Sequence, residues 1–201
     1  EVLLQEIHHR VKYNLQVMSS LMNMQSRQLR DPSALSALAE CNTRIQAIAL
    51  IHEKLYQSKD YARVPFAEYA KSLARTVLDA TDVSPASIAL KLDVGAIALP
   101  VDRAIACGLI LNELMTNALK HAFPGDRQGT IHVELREGGG EAVLTVADDG
   151  IGVPPGFDPK TSSSLGMQLV TTLVEQLEGH LDLTGEHGTV VRVAFPMEIA
   201  A

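Results

Sequence analysis

Two histidines stand side by side near the start of the chain, in Glu6-Ile7-His8-His9-Arg10-Val11-Lys12-Tyr13-Asn14-Leu15-Gln16. Imidazole offers one nitrogen as a nucleophile at neutral pH while a neighbour holds the other, so this segment can accept a transferred group. Far downstream, Glu113, Asn117, Lys120 and His121 recur at helical spacing on one face, with Leu111, Leu114, Met115, Ala118 and Ala122 on the other. A carboxylate, a carboxamide and an ammonium in a row can hold a water or a hard cation and the phosphates attached to it. An ordinary solvated helix face has the same pattern.

Three further signals follow. Ala147-Asp148-Asp149-Gly150-Ile151-Gly152 comes directly after an alternating strand, which places Asp148 on the face of Leu144 and Val146. A carboxylate delivered to the buried side of a sheet needs a donor, and the exocyclic amine of adenine is one. Gly150 and Gly152 would let the backbone approach a ring, although Asp-Asp-Gly is also a common turn. Ser162-Ser163-Ser164-Leu165-Gly166-Met167 places small residues at a helix start, either as an anion site built from free N–H groups or as a plain serine cap. Gly188-Thr189 opens the last strand, where the hydroxyl could reach phosphate or only begin the strand.

The elements that must position these groups follow from periodicity. From Glu1 to about Gln57 there is no Gly and one Pro, and two long helices are predicted. Their expected seams are Leu4, His8, Val11, Leu15, Met18, Met22, Gln25 and Leu29, then Leu35, Leu38, Asn42, Ile45, Ala49, His52 and Tyr56. Asp31-Pro32-Ser33 supplies the break, which brings His52 and Glu53 level with Val11. On that seam His8 is a bundle-core residue, while His9, turned about 100° away, is the candidate acceptor. A hairpin with an uncovered apolar stripe calls for a second copy, and a homodimer is expected.

Past Ser58 the composition changes. Helices are expected over Phe66–Ala80, Val101–Ala122 and Gly166–Leu177. Strands are expected over Ile88–Val94, Thr130–Arg136, Ala142–Asp148, His180–Thr184 and Thr189–Phe195, with an irregular stretch from Gly150 to Leu165. The class is α+β, with helices on one face of a mostly antiparallel sheet, and the expected domains are 1–62 and 63–201.

Composition narrows the function. The chain has 201 residues, 17 Lys plus Arg against 24 Asp plus Glu, and no Trp. Such an acidic chain with few aromatics is a poor partner for nucleic acid. Cys41 and Cys107 are far apart and read as core residues in a reducing compartment. No apolar run approaches the roughly 20 residues of a membrane span, so no membrane contact is expected. With no Met or signal pattern at Glu1, the chain reads as the cytoplasmic fragment of a longer protein. His132, His180 and His187 have no metal-ligand spacing.

The order of the motifs carries a resemblance. Asn112-Glu113-Leu114-Met115-Thr116-Asn117-Ala118-Leu119-Lys120-His121-Ala122 resembles the N box of the ATP-binding domain shared by histidine kinases, gyrase, Hsp90 and MutL. Asp148-Asp149-Gly150-Ile151-Gly152 resembles its first glycine box and Leu165-Gly166-Met167-Gln168-Leu169-Val170 its second. The segment around His9 resembles the acceptor box of the HWE-related sensor histidine kinases, His-Arg-Val-Lys-Asn-Asn-Leu-Gln, with Tyr13 at an Asn position. The Trp-x-Glu signature of the strict HWE subgroup is absent before Asp148.

The resemblance implies a four-helix bundle on dimerisation, an α/β sandwich that binds ATP, Mg²⁺ on Asn117, adenine read by Asp148, and a lid over Val153–Leu165. It also implies autophosphorylation of His9, transfer to an aspartate on a response-regulator receiver domain, and an upstream sensor domain missing from this fragment. Lys120 and the second glycine box would neutralise developing charge, and His121, Ser164, Leu165, Gly166, Met167 and Thr189 complete the expected binding set. The rival expectations are a kinase-dead ATP-binding module and an ATP hydrolase that uses Glu113 to activate water.

Overall fold

The computed structural model describes residues 2–57, 62–81, 87–125, 127–185 and 187–197, without the side chains of residues 2–5, 8, 56 and 57. Its elements are α1 (Val2–Ser26), α2 (Pro32–Gln57), β1 (Arg63–Pro65), α3 (Phe66–Asp79), β2 (Ile88–Val94), β3 (Ala98–Pro100), α4 (Val101–Asn117), β4 (Gly129–Gly138), β5 (Glu141–Asp148), α5 (Leu165–Gln176), β6 (His180–Thr184) and β7 (Thr189–Pro196). They fall into two compact units, Glu1–Ala80 with Ala98–Asn112, and Thr81–Ile97 with Glu113–Ala201.

In the first unit, α1 and α2 form the expected antiparallel hairpin. Asp31 accepts hydrogen bonds from the Ser33 N–H (3.2 Å) and hydroxyl (2.8 Å). These bonds, the hydroxyl's first, hold the Asp31 carboxyl below its ordinary range and seat the chain at Pro32, which has no N–H to leave unpaired. Lys12 pairs with Glu53 at 2.9 Å, so the two helices are aligned as the turn position requires. The seam on α1 departs from the expected one. Val11, Leu15, Ser19, Met22 and Ser26 are half-buried, whereas Met18 is 54% exposed and Gln25 is also exposed. A strict seven-residue repeat drifts on a straight helix, and the inward position passes from Met18 to Ser19 and from Gln25 to Ser26. The expected seam placement of the His8 side chain lies outside the described residues.

The serine turned inward is not idle. Ser19 Oγ donates to Asn42 Oδ1 (2.6 Å), and Asn42 Nδ2 donates to Asn23 Oδ1 (3.3 Å), a polar rung between the helices. The opposite flank of α1 leaves Tyr13, Val17, Leu21 and Met24 exposed.

The compact units cut the chain differently from the boundary expected at residues 62 and 63, and α3 is the reason. Thr43, Ala47, Ile51 and Leu55 recur every four residues on α2 and are buried, as are Phe66, Tyr69, Ala70, Leu73 and Val77 of α3. The Tyr69 hydroxyl donates to the Ala47 carbonyl (3.2 Å), and its ring meets Phe66 edge to face at 5.4 Å. On α4 a Cβ at Gly108 would overlap that same hydroxyl. Burial pushes the pKa of the Tyr69 hydroxyl and of the Cys107 thiol far above their ordinary values, so both stay neutral. Cys107 is therefore a core residue, while Cys41 is only half-buried. β1 and β3 pair antiparallel beside α3, a small sheet that three-residue strands do not announce in sequence.

In the second unit, the described strands form one sheet in the order β2-β4-β5-β7-β6. β2 runs parallel to β4 and every other pairing is antiparallel, in agreement with the expected mixed class. Alternation hides Ile131, Val133 and Leu135, Ala142, Leu144 and Val146, and Val191, Val193 and Phe195 on one face. Gly139 and Gly140 take positive φ (67° and 85°) and close the β4–β5 turn in two residues. The predicted helix 101–122 ends differently. Regular α-helix stops at Asn117, and Ala118–Ala122 form a π-turn, one residue wider per turn.

Candidate functional site

A cavity of about 330 Å³ opens in the second unit. Asn117 and His121 reach it from the end of α4 and the π-turn, Asp148 from the end of β5, Ser164 and Met167 from the start of α5, and Thr189 from the start of β7. Gly152 also lines it. The sequence motifs therefore converge on one site, although they lie up to some 70 residues apart. The remaining wall is apolar, with Leu114, Val146, Val153, Phe157, Leu183 and Val191 among its residues.

Asp148 sits where strand alternation predicts, in line with Leu144 and Val146. Its Oδ1 accepts the N–H groups of Gly150 (3.0 Å) and Thr189 (3.1 Å), so one oxygen ties β5 to β7. Its other oxygen makes no hydrogen bond to the described residues. The carboxylate is thus both the turn residue and a cavity residue, and Oδ2 remains for a donor. Asp149 turns the other way: its carboxylate accepts from the Thr130 N–H (2.7 Å). Arg127 donates to the carbonyls of Asp149 (3.0 Å) and Gly150 (3.3 Å), which fixes the chain leaving β5.

The glycines do a different job from the expected one. A Cβ at Gly150 would overlap Ala122, whose carbonyl also accepts the Ile151 N–H (3.0 Å). Gly152, with φ at 76°, would overlap the Gly185 carbonyl. Both residues let protein backbone approach protein backbone, and Gly150 does not line the cavity.

Asn117 donates its amide Nδ2 to the thioether of Met167 at 3.6 Å. Its Oδ1 has no hydrogen bond to the described residues, which suits a single oxygen ligand to a hard cation. Among the described residues no group of three His, Cys, Asp or Glu side chains could hold a metal ion, so the other ligands would have to come from phosphate and water. Ser164 is the N-cap of α5, its hydroxyl accepting from the Met167 N–H (3.4 Å). The serine cap is therefore real, and the helix start still faces the cavity.

Not every expected residue arrives. Glu113 is buried, 4% exposed, and does not line the cavity. Lys120, exposed on the π-turn, does not line it either, nor do Leu165 and Gly166, with Leu165 65% exposed. Val153 and Phe157, which line the cavity, fall in the stretch that the resemblance gives as a lid, whereas Leu183 and Val191 are cavity residues that the motif reading did not single out. Of these, Leu183 had a signal in its alternation with Leu181 along β6.

In the first unit His9 is exposed on α1, as its turn away from the seam predicts. Arg10 pairs with Glu6 one turn back at 2.6 Å. The Arg10 hydrogen bond is the first reason, and the charges of Arg10 and His9 further ones, why the Glu6 carboxyl lies below its ordinary range. Glu53, expected level with Val11 on the second helix, is engaged by Lys12.

A cavity closed by an asparagine helix end, a strand-end carboxylate and a capped second helix defines a nucleotide-binding α/β unit, and the comparisons agree. Residues 103–199 match the family described as histidine kinase-, DNA gyrase B- and HSP90-like ATPase, and residues 6–81 match the family described as histidine kinase. The chain is similar to the sensor histidine kinase PdtaS of Mycobacterium tuberculosis, with 36% identity over 96% of this chain and 39% of that one. It is similar also to the blue-light-activated histidine kinase 2 of Erythrobacter litoralis, with 30% identity over 96% of this chain and 57% of that one. Among solved structures, the histidine kinase domain of the Erythrobacter litoralis EL346 blue-light-activated histidine kinase superposes with a TM-score of 0.72 at 25% identity, covering 98% of this chain and 93% of that one. The chain belongs to the sensor histidine kinases, in their HWE-related branch. It spans about two fifths of the length of the PdtaS relatives. No described helix is long and apolar enough to cross a membrane.

Proposed function

We propose that the chain is the kinase core of a two-component sensor, transferring the γ-phosphoryl group of ATP to His9 and from there to an aspartate on a response-regulator receiver domain. A ring nitrogen of His9 attacks the γ-phosphorus, the bond to the ADP oxygen breaks, and the ring proton is lost to solvent or a neighbour. The observation that carries the reading is Asp148, whose Oδ1 is used by the fold while Oδ2 is left for the adenine amine.

Thr189, whose N–H binds Asp148, stands at the base end with it rather than among the phosphates. Asn117, His121 and the capped start of α5 supply the polar groups for the phosphates. Mg²⁺ held by Asn117 would neutralise phosphate charge and orient the chain of phosphates for in-line attack. The exposed flank of α1, with Tyr13, Val17, Leu21 and Met24, supports a second copy completing a four-helix bundle. The hydrolase reading is less well supported, because Glu113, the base it requires, is buried and does not line the cavity.

The test is incubation with γ-labelled ATP. Label stable to alkali and labile to acid should appear on the parent chain and vanish in His9→Gln with nucleotide affinity intact. His8→Gln should act on stability or assembly instead. Persistent label in the His9 variant and loss in the His8 variant would exchange their roles, and nucleotide binding with no label in any variant would leave the kinase-dead module.

A further inference from the structure

We propose that Met167 is a positioning residue for the phosphate-side cation, acting through Asn117: its thioether selects which end of the Asn117 carboxamide faces the cavity. The inference rests on the nucleotide and Mg²⁺ reading of this cavity and adds to it the part that decides the orientation of the metal ligand.

A carboxamide has two nearly isosteric ends with opposite hydrogen-bonding character, so an asparagine at a cation site is useful only with oxygen inward. Rotation by half a turn about the last side-chain bond would present NH₂ to the cation and repel it. Something must distinguish the two ends. Asn117 is the last residue of regular α-helix before the π-turn, with helical backbone angles, so its Cα is fixed. The one hydrogen bond its side chain makes to the described residues is from Nδ2 to Met167 Sδ at 3.6 Å. A thioether accepts and never donates, so it can pair with the NH₂ end only. With NH₂ directed at sulfur, Oδ1 is directed elsewhere.

Met167 is itself held in place. Its N–H donates to Ser164 Oγ at the N-cap of α5, and the residue is 5% exposed. Met167 is thus a buried residue at a capped helix start, in the wall shared with Asn117. A leucine there would fill the same space and leave the amide ends unselected. The cap, the thioether and the carboxamide form a chain, so that the turn into α5 sets the face of a residue on α4.

The experiment measures nucleotide affinity by calorimetry on the whole chain, with Mg²⁺ and with chelator, for the parent, Met167→Leu, Asn117→Ala, Asn117→Asp and the Met167→Leu, Asn117→Asp pair. Met167→Leu conserves volume and should fold as the parent does. It should reduce the gain in affinity conferred by Mg²⁺ by roughly three- to tenfold, the span of one modest hydrogen bond, and any loss of Mg²⁺-free affinity from the altered wall should be the smaller of the two. In the Asn117→Asp background, whose carboxylate has two equivalent oxygens and no donor, the same substitution should do nothing to the Mg²⁺ gain. Equal loss with and without Mg²⁺ would reduce Met167 to a wall residue and overturn the proposal. So would an unchanged Mg²⁺ gain in Met167→Leu while Asn117→Ala loses it, and that outcome leaves the metal reading intact. An unchanged Mg²⁺ gain in Asn117→Ala removes the metal reading and this proposal together.

Discussion

The helical hairpin and the nucleotide unit carry their chemistry in opposite ways. On the hairpin the proposed acceptor is one exposed side chain, His9, on a helix that does not bury it. In the second unit the side chains are few and the shape is set by backbone meeting backbone: Gly150 against Ala122, Gly152 against Gly185, and Gly188 against Asp148. An acceptor must be presented to other molecules, so it gains from exposure. A base-reading carboxylate must be held at a fixed distance from an apolar wall, so it gains from a rigid frame. The two regions should then fail differently, the hairpin by losing chemistry with fold retained, the second unit by losing fold and chemistry together.

Gly188→Ala tests the contrast with the largest effect. Gly188 has φ at 84°, and a Cβ there would overlap the Asp148 carbonyl, backbone that cannot swing aside. Strain and overlap together should cost about 3 to 5 kcal/mol, and denaturant unfolding should record it. Nucleotide binding should fall with it, because the displaced segment includes Thr189. His9→Gln on the hairpin should stay within about 0.5 kcal/mol of the parent. A Gly188→Ala chain as stable as the parent would show that the frame around Asp148 yields, and the contrast would collapse.

That same contrast explains what could be read from sequence. Strand alternation placed Asp148 correctly because a period of two leaves no choice of face, and Asp31-Pro32-Ser33 located the hairpin because capping and a missing N–H are local chemistry. The seam of α1 slipped at Met18 and Gln25 because a repeat of seven and a turn of 3.6 part company within two or three turns, and the inward Ser19 looks like a surface residue until Asn42 is seen opposite it. The π-turn after Asn117 and the pairing of β1 with β3 are set by tertiary packing, for which Ala118–Ala122 and Arg63–Pro65 have no local signal. Gly150 and Gly152 stand out in the sequence, but that a Cβ on them would meet Ala122 and the Gly185 carbonyl depends on the tertiary fold, and of the two only Gly152 also lines the cavity.

Asp148→Asn probes the site without disturbing the frame. The asparagine oxygen can keep accepting from Gly150 and Thr189, while its NH₂ replaces the Oδ2 acceptor. The fold should survive, and ATP affinity should drop about ten- to hundredfold, the worth of a charge-assisted hydrogen bond turned into a donor facing a donor. Discrimination against GTP should shrink in step, while inorganic triphosphate should bind as before. A variant that binds ATP and GTP just as the parent does would make Asp148 a turn residue only, and the second unit would then lack its one base-reading group.

The smallest expected effect lies on the hairpin, at Tyr13. It stands four residues after His9, about one helical turn along the same side, where the family's acceptor box has Asn. Packing against the second helix would also explain the tyrosine, but Tyr13 is 60% exposed, which leaves that explanation the weaker one. An exposed aromatic ring beside the acceptor adds apolar bulk to whatever surface docks there, and its rigid hydroxyl cannot occupy the place of a carboxamide. If a polar group at this position orients the water that removes phosphate from the partner, Tyr13 supplies it poorly. Forward transfer needs only His9 and ATP in line, so Tyr13→Asn should leave autophosphorylation and stability unchanged, the latter within about 0.5 kcal/mol, and should raise dephosphorylation of the receiver several-fold. Measured side by side, equal dephosphorylation rates in the two proteins would confine Tyr13 to the exposed flank with Val17 and Leu21, where its effect should appear in self-association instead. A fall in autophosphorylation would say more, namely that the hairpin also depends on a frame around its acceptor and that the two regions differ less than their geometry implies.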